Sequence, residues 1–311
     1  KYLVLLAAIA VALGTGAFFY GVHYFNDRVE GEYFDSDGVK IHYTRQGSGT
    51  PLILLHGFAV HSDISWRKTG MIDKLAKEYD VIAMDFRGLG LSGKPHDPQM
   101  YGTEMAEDAV RLMDHLGIEK AHLAGYSLGG FAALKLAASH PDRFYTVSPL
   151  GAGWEDPENS DYFKAMPKLE NALREGKGIA PLSSFIDEDR EKPGFFHTLL
   201  VKILTGCLND KEAIIAVINS VPELAVPRES VKEIKLPMLT VIGSGDTMIA
   251  GARALHEMAP DHELVVIPGA NHIQVPRRPE MVRKMLNFLG KESIALSGEP
   301  TKKRDSSLRS E

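Results

Sequence analysis

The chain has 311 residues, 44% of them hydrophobic, and a formal net charge of −6 from 35 Lys and Arg against 41 Asp and Glu. That length holds one large α/β domain or two small ones, and the lack of a basic excess argues against a nucleic-acid partner. A single cysteine, Cys207, excludes an internal disulfide and a cysteine metal cluster, and among its apolar neighbours it reads as a small buried side chain.

From Tyr2 to Phe25 there is no Asp, Glu, Lys or Arg, and Tyr2–Gly21 has about the twenty apolar residues that a bilayer crossing needs. Phe18, Phe19, Tyr20, Tyr24 and Phe25 would form an aromatic belt at one interface. An uncleaved anchor over residues 1–26 is the first expectation. A secretory signal peptide competes, because Lys1 precedes the apolar run and Gly14-Thr-Gly-Ala17 resembles a cleavage region. A buried helix is the third reading. Hydrophobicity continues past the small residues, which favours the anchor. The predominantly acidic flank Asp27, Arg28, Glu30, Glu32 and Asp35 favours Lys1 inside and the body on the exported side, close to the membrane surface. Cleavage would leave the body secreted.

The body begins with Glu32–Ser36 and Val39–Arg45, which alternate across Asp37-Gly38 and predict an antiparallel hairpin. Pro51–Gly57 is a continuous apolar run, as a strand buried on both faces requires. A helix is predicted over Ile64–Tyr79, a second buried strand over Asp80–Phe86, and an amphipathic helix over Thr103–Leu116 capped by Thr103. Then comes Ala121-His-Leu-Ala-Gly-Tyr-Ser-Leu-Gly-Gly130, an apolar strand that runs through a lone serine into the Ala- and Leu-rich helix beginning at Leu128. Strands alternating with helices predict a mostly parallel central sheet with helices on both faces.

After a strand at Phe144–Gly151 the alternation stops. Residues 152–235 read as short helices, among them Asp161–Arg174, Phe195–Leu208 and Lys211–Val221, inserted as a cap before the last strands. Strand character returns at Pro237–Gly243 and His262–Pro268, with helices at Gly251–Met258 and Pro279–Leu289. The core is therefore expected over 27–151 and 236–290. The tail, 291–311, is predicted to be disordered, its basic cluster Lys302-Lys-Arg304 solvated rather than bound to lipid headgroups.

A serine on so sharp a turn sits in strained backbone, and Gly125 and Gly129 leave room where side chains would collide. Ser127 reads as a nucleophile. A hydroxyl needs a base in reach, and the base needs an orienting carboxylate. His272 follows the strand ending at Pro268 and Asp246 the strand ending near Gly243, so both emerge at the sheet edge that carries Ser127. Glu155 or Asp156, after the earlier strand, is the alternative acid. Two N–H groups must hold the oxyanion; those of Leu128 and of Phe58, which follows His56-Gly57, are the candidates. No metal or organic cofactor is implied. His61, Trp66, Trp154, Phe163, Phe185, Phe195 and Phe196 are candidates for an acyl pocket, although core packing explains each equally well.

Taken together, Leu54-Leu-His-Gly-Phe58, Asp85-Phe-Arg-Gly-Leu-Gly-Leu-Ser-Gly-Lys-Pro95, Gly125-Tyr-Ser-Leu-Gly-Gly130, Gly245-Asp246 and Gly269-Ala-Asn-His272 resemble the α/β-hydrolase fold family, over about residues 30 to 290. The resemblance implies a Ser127–Asp246–His272 triad, an oxyanion hole from Phe58 and Leu128, a cap over the pocket, and a mainly structural loop at Asp85 and Arg87. Relatives that open epoxides or remove halides carry Asp as nucleophile, against Ser127 here. Relatives that cleave carbon–carbon bonds in ring-fission dienoates often carry a bulky aromatic after the histidine, where this chain has Ile273. An esterase or lipase acting on a small-molecule, lipid-like ester is the leading expectation. A carbon–carbon hydrolase and a non-catalytic binding protein of the same fold are the alternatives, the latter weakened by the presence of all three triad residues. Nothing in the sequence speaks to oligomeric state.

Overall fold

The computed structural model describes residues 16, 19–24, 26–178, 209–259 and 261–297. Eight strands form one sheet: β1 (Glu32–Ser36), β2 (Val39–Gly47), β3 (Thr50–Leu55), β4 (Tyr79–Met84), β5 (Ala121–Tyr126), β6 (Phe144–Leu150), β7 (Met238–Gly243) and β8 (His262–Ile267). Their order is β1-β2-β4-β3-β5-β6-β7-β8. The β1–β2 and β2–β4 pairs are antiparallel and all the others parallel. The hairpin turn has Asp37 at φ 52° and Gly38 at φ 83°, the left-handed pair that matches the twist of a two-residue hairpin.

Crossovers through helices cover both faces of the parallel part. On one face α1 (Met71–Leu75) packs against α8 (Pro279–Ser297) over Leu52, Leu54 and Val241. The opposite face carries α2 (Thr103–His115), α3 (Leu128–Ser139) and α7 (Ile249–Met258) over Ile53, Leu55 and Leu123. Between β6 and β7 lie α4 (Asp161–Arg174), α5 (Lys211–Ser220) and α6 (Arg228–Glu233), and α4 packs on α5. Ser160 caps α4 by accepting from Phe163 N (3.3 Å), and Asp210 caps α5 by accepting from Ala213 N (2.9 Å). The predicted helix Phe195–Leu208, with Cys207, lies outside the described residues.

Several boundaries differ from expectation, each for a tertiary reason. The helix predicted over Ile64–Tyr79 is divided into a π turn at Asp63–Arg67, closed by Lys68 N to Asp63 O (2.7 Å), and α1, because Gly70 adopts φ 72°. Tyr79 leaves the helix to pair with Thr50 in the sheet. Gly102, at φ 64°, takes the cap position of α2, so Thr103 is the first helical residue rather than the cap. The last helix continues past Gly290 to Ser297 and shortens the predicted tail. Ser293 Oγ ties it to Leu289 O (2.8 Å) and to Nε2 of buried His122 (3.3 Å). No helix among the described residues is long and apolar enough to cross a membrane. Most of the predicted span, Tyr2–Gly21, and the tail from residue 298 lie outside them.

Three histidines are buried as neutral rings. His122 Nδ1 meets Thr146 Oγ1 at 2.8 Å, His262 Nε2 meets Thr240 Oγ1 at 2.9 Å, and His56 Nε2 accepts from Phe86 N at 3.0 Å. Burial pushes each down to about 4. The unfolded chain binds these protons near the ordinary 6.5 and the folded chain does not, so stability falls as pH drops from about 6.5 towards 4. The expected loss is on the order of 2 kcal/mol per histidine by pH 5. Thermal melts followed by circular dichroism should then show Tm more than about 10 °C lower at pH 5 than at pH 7. An unchanged Tm would mean that these rings titrate alike in both states.

Candidate active site

Ser127 joins β5 to α3 at φ 56° and ψ −115°, a conformation that a non-glycine residue holds only under tertiary constraint. Its N–H donates to Leu150 O (2.9 Å), and its carbonyl accepts from Gly130 N (2.8 Å) and Phe131 N (3.2 Å). The flanking glycines are required sterically. A Cβ on Gly125 would fall 1.9 Å from Gly129 O, and one on Gly129 would fall 2.3 Å from Leu55 O.

Asp246 and His272 leave the carboxyl ends of β7 and β8 and meet with Nδ1 to Oδ2 at 2.7 Å. They are 2% and 5% exposed. A carboxylate only accepts, so Nδ1 carries the proton and Nε2 is left as the acceptor. Asp246 Oδ1 accepts from Met248 N (3.0 Å), which fixes the carboxylate plane. The alternative acids serve elsewhere: Glu155 accepts from Ser160 Oγ (2.6 Å), and Asp156 closes its own turn onto Glu158 N (2.9 Å).

Ser127 and His272 line one cavity of about 240 Å³, together with Gly57 and Phe58. A Cβ on Gly57 would lie 3.6 Å from the Ser127 Cβ, so the loop leading to Phe58 runs against the nucleophile candidate. Leu128 opens α3, and the N–H of a first helical residue has no partner within its helix. The loop is braced by His56 Nδ1–H donating to Gly57 O (2.7 Å) and by Gly57 N donating to Ser65 Oγ (3.3 Å). Beneath it, Asp85 accepts from Ser62 N (2.8 Å), Leu91 N (2.9 Å) and His42 Nδ1 (3.0 Å). Burial pushes this carboxyl up, but the bond from His42, the neighbouring His56 and the two backbone N–H groups hold it well below the usual carboxylate range. Asp85 thus supports the site without lining the cavity.

Tyr126 escapes the sequence reading. Its hydroxyl donates to His272 O, and its ring lies 5.1 Å from the imidazole, centroid to centroid. Burial, with the Asp246 charge adding to it, raises the phenol well above its ordinary value, so it remains a donor that pins the histidine loop. The available signal was position: Tyr126 is the last residue of β5, directly before Ser127 at the sheet edge where the histidine loop also emerges. The remaining walls are mostly apolar, including Val60, Ile64, Met248 and Ile273. Of the predicted pocket residues, His61, Trp66, Trp154 and Phe163 are buried outside this lining, while Phe185, Phe195 and Phe196 lie outside the described residues. Among the described residues no group of three His, Cys, Asp or Glu side chains could hold a metal ion.

Comparison with known proteins agrees with the architecture. The profile of the alpha/beta hydrolase fold family matches residues 50–203. The dihydrolipoyllysine-residue acetyltransferase component of the acetoin cleaving system of Cupriavidus necator is 37% identical over 158 residues, 49% of this chain and 40% of that protein. Its counterpart in Pseudomonas putida is 30% identical over 249 residues, 78% of this chain and 64% of that protein. The chain thus spans less than two thirds of either relative. Among solved structures, Est816, described as an N-acyl homoserine lactone degrading enzyme, superposes with a TM-score of 0.66 at 26% identity, covering 82% of this chain and 99% of that one.

Proposed function

The chain belongs to the α/β-hydrolase fold family, and from that premise we propose that it is a serine hydrolase that cleaves carboxylic esters through an acyl-enzyme. The observation that carries the reading is Ser127, held in a left-handed strand-to-helix turn, on the wall of the same cavity as a His272 oriented by Asp246 at 2.7 Å. Ser127 Oγ attacks the ester carbonyl as His272 Nε2 takes its proton. The N–H groups of Phe58 and Leu128 receive the oxyanion, and the imidazolium, stabilised by Asp246, protonates the departing alcohol. Water, deprotonated by the same histidine, then releases the acid.

The apolar cavity walls support lipid-like esters. The N-terminal segment adds to this. Lys68 donates to Tyr24 O, and Asp63 accepts from Val29 N (2.7 Å), so the segment that follows the apolar run is tied to the turn whose Ile64 and Ser65 line the cavity. Phe19 and Tyr20 are 64% and 69% exposed beside that junction in sequence. An anchor over residues 1–26 would keep the body at a membrane surface, on the exported side. Est816, described as degrading N-acyl homoserine lactones, supports an acylated substrate.

The test is release of 4-nitrophenol from butyrate and palmitate esters by the full chain in detergent. Hydrolysis of both, faster with the long chain, is expected. Activity on butyrate alone would remove the lipid-like substrate, and inactivity on both would overturn the ester reading.

A further inference from the structure

Among the described residues lining the cavity, one side chain carries a permanent charge, Arg277. No Asp or Glu is among these described lining residues. Arg277 closes the short turn Val275–Arg277 that joins the His272 loop to α8, and its Nη1 donates to Ile273 O (3.2 Å). That bond holds the guanidinium at the rim, beside an Ile273 side chain that is 48% exposed. Elsewhere Arg45, Arg67, Arg87, Arg111 and Arg143 each face a carboxylate. Among the described residues no carboxylate pairs with Arg277. A guanidinium has five N–H donors in a fork that fits a carboxylate or phosphate with two parallel bonds, and here only one bond is made.

We propose that Arg277 determines specificity and that the substrates are acyl esters carrying an anionic group, carboxylate or phosphate, on the alcohol side of the scissile bond. The inference rests on the ester-hydrolase reading. The acyl chain takes the apolar walls around Ile64 and Met248, which leaves the alcohol portion at the rim where Arg277 stands. Among the described lining residues there is no acidic side chain to repel an anion. The rim is partly solvated, which limits the gain to about tenfold in kcat/KM, expressed mainly in KM.

The experiment compares three butyryl esters with the full chain: monobutyrin, which is neutral; O-butyryl lactate, with a carboxylate; and butyryl glycerol 3-phosphate. At least one anionic ester is expected to exceed monobutyrin by about tenfold in kcat/KM at low salt, with the ratio falling as salt rises. Comparing the two anions identifies which group is read. Arg277→Gln should bring the ratio near one, Arg277→Glu should invert it, and Arg277→Lys should retain part of it. Arg278→Gln, next in the chain but outside the lining, should leave the ratio as it is. A wild-type ratio near one, or a preference that survives Arg277→Gln, overturns the assignment while leaving the ester reading intact. Failure to hydrolyse any of the three esters while the 4-nitrophenyl esters are cleaved overturns the inference alone, and inactivity on all of them overturns the ester reading with it.

Discussion

Replacing Ser127 by alanine should lower ester hydrolysis by on the order of 10^5-fold to 10^6-fold in kcat, to the residue left by binding and oxyanion contacts. The reason is chemical rather than structural. Ser127 holds its turn through backbone bonds to Leu150 O and from Gly130 N and Phe131 N, none of which needs the hydroxyl. The variant should therefore melt with the wild type while losing the covalent intermediate. Mass spectrometry after a fluorophosphonate probe should find the adduct on Ser127 in the wild type and none in the variant. Asp246→Asn belongs to the same measurement. An amide can donate to His272 Nδ1 and so stabilise the wrong tautomer, with Nε2 protonated, which typically costs about 10^4 in kcat. Wild-type rates in Ser127→Ala would sink the mechanism outright.

Asp108→Ala should be the most damaging single change to stability, by about 3–5 kcal/mol. Asp108 on α2 and Arg87 after β4 are both fully buried, with Nε to Oδ2 at 2.8 Å and Nη2 to Oδ1 at 2.5 Å. Ser36 Oγ donates to the same carboxylate (2.6 Å), and Arg87 Nη1 donates to Met100 O (2.7 Å), so one pair joins β1, α2 and the loop after β4. Burial pushes the Asp108 carboxyl up, and the bonds from Arg87 and Ser36 oppose it. Truncating the carboxylate strands a guanidinium away from water, a loss that is a large fraction of the roughly 5–15 kcal/mol by which domains are stable. Urea denaturation should show the midpoint shifted down. Asp108→Leu combined with Arg87→Met should recover most of the loss, because an apolar pair leaves no orphan charge. A midpoint for Asp108→Ala within about 1 kcal/mol of wild type would show that water reaches the pair.

Much of the sheet was legible in the chain because strand burial is a local pattern. β3, β4 and β5 are continuous apolar runs bounded by turn residues, and a parallel strand buried on both faces needs that composition wherever it lies. The Gly-Tyr-Ser-Leu-Gly turn was legible for a similar reason, since only glycine tolerates the 1.9 Å and 2.3 Å approaches found there. The candidate residues after β7 and β8 followed from topology, because parallel strands deliver their carboxyl ends to one edge. Distance then decided what pattern could not. Asp246, rather than Glu155 or Asp156, lies 2.7 Å from His272, and all three follow strands at the same edge. Gly70 and Gly102 took conformations that broke one predicted helix and displaced Thr103 as the cap of another, while the bond from Ser293 to His122 carried α8 past Gly290. Tyr126 beneath the histidine loop and Arg277 at the cavity rim are ordinary residues in the sequence; their meaning comes from neighbours 146 and 150 positions away, Tyr126 from His272 and Arg277 from Ser127. Local sterics and periodicity are written in the chain itself, whereas the partners of a buried polar group are set only when the sheet brings distant loops together.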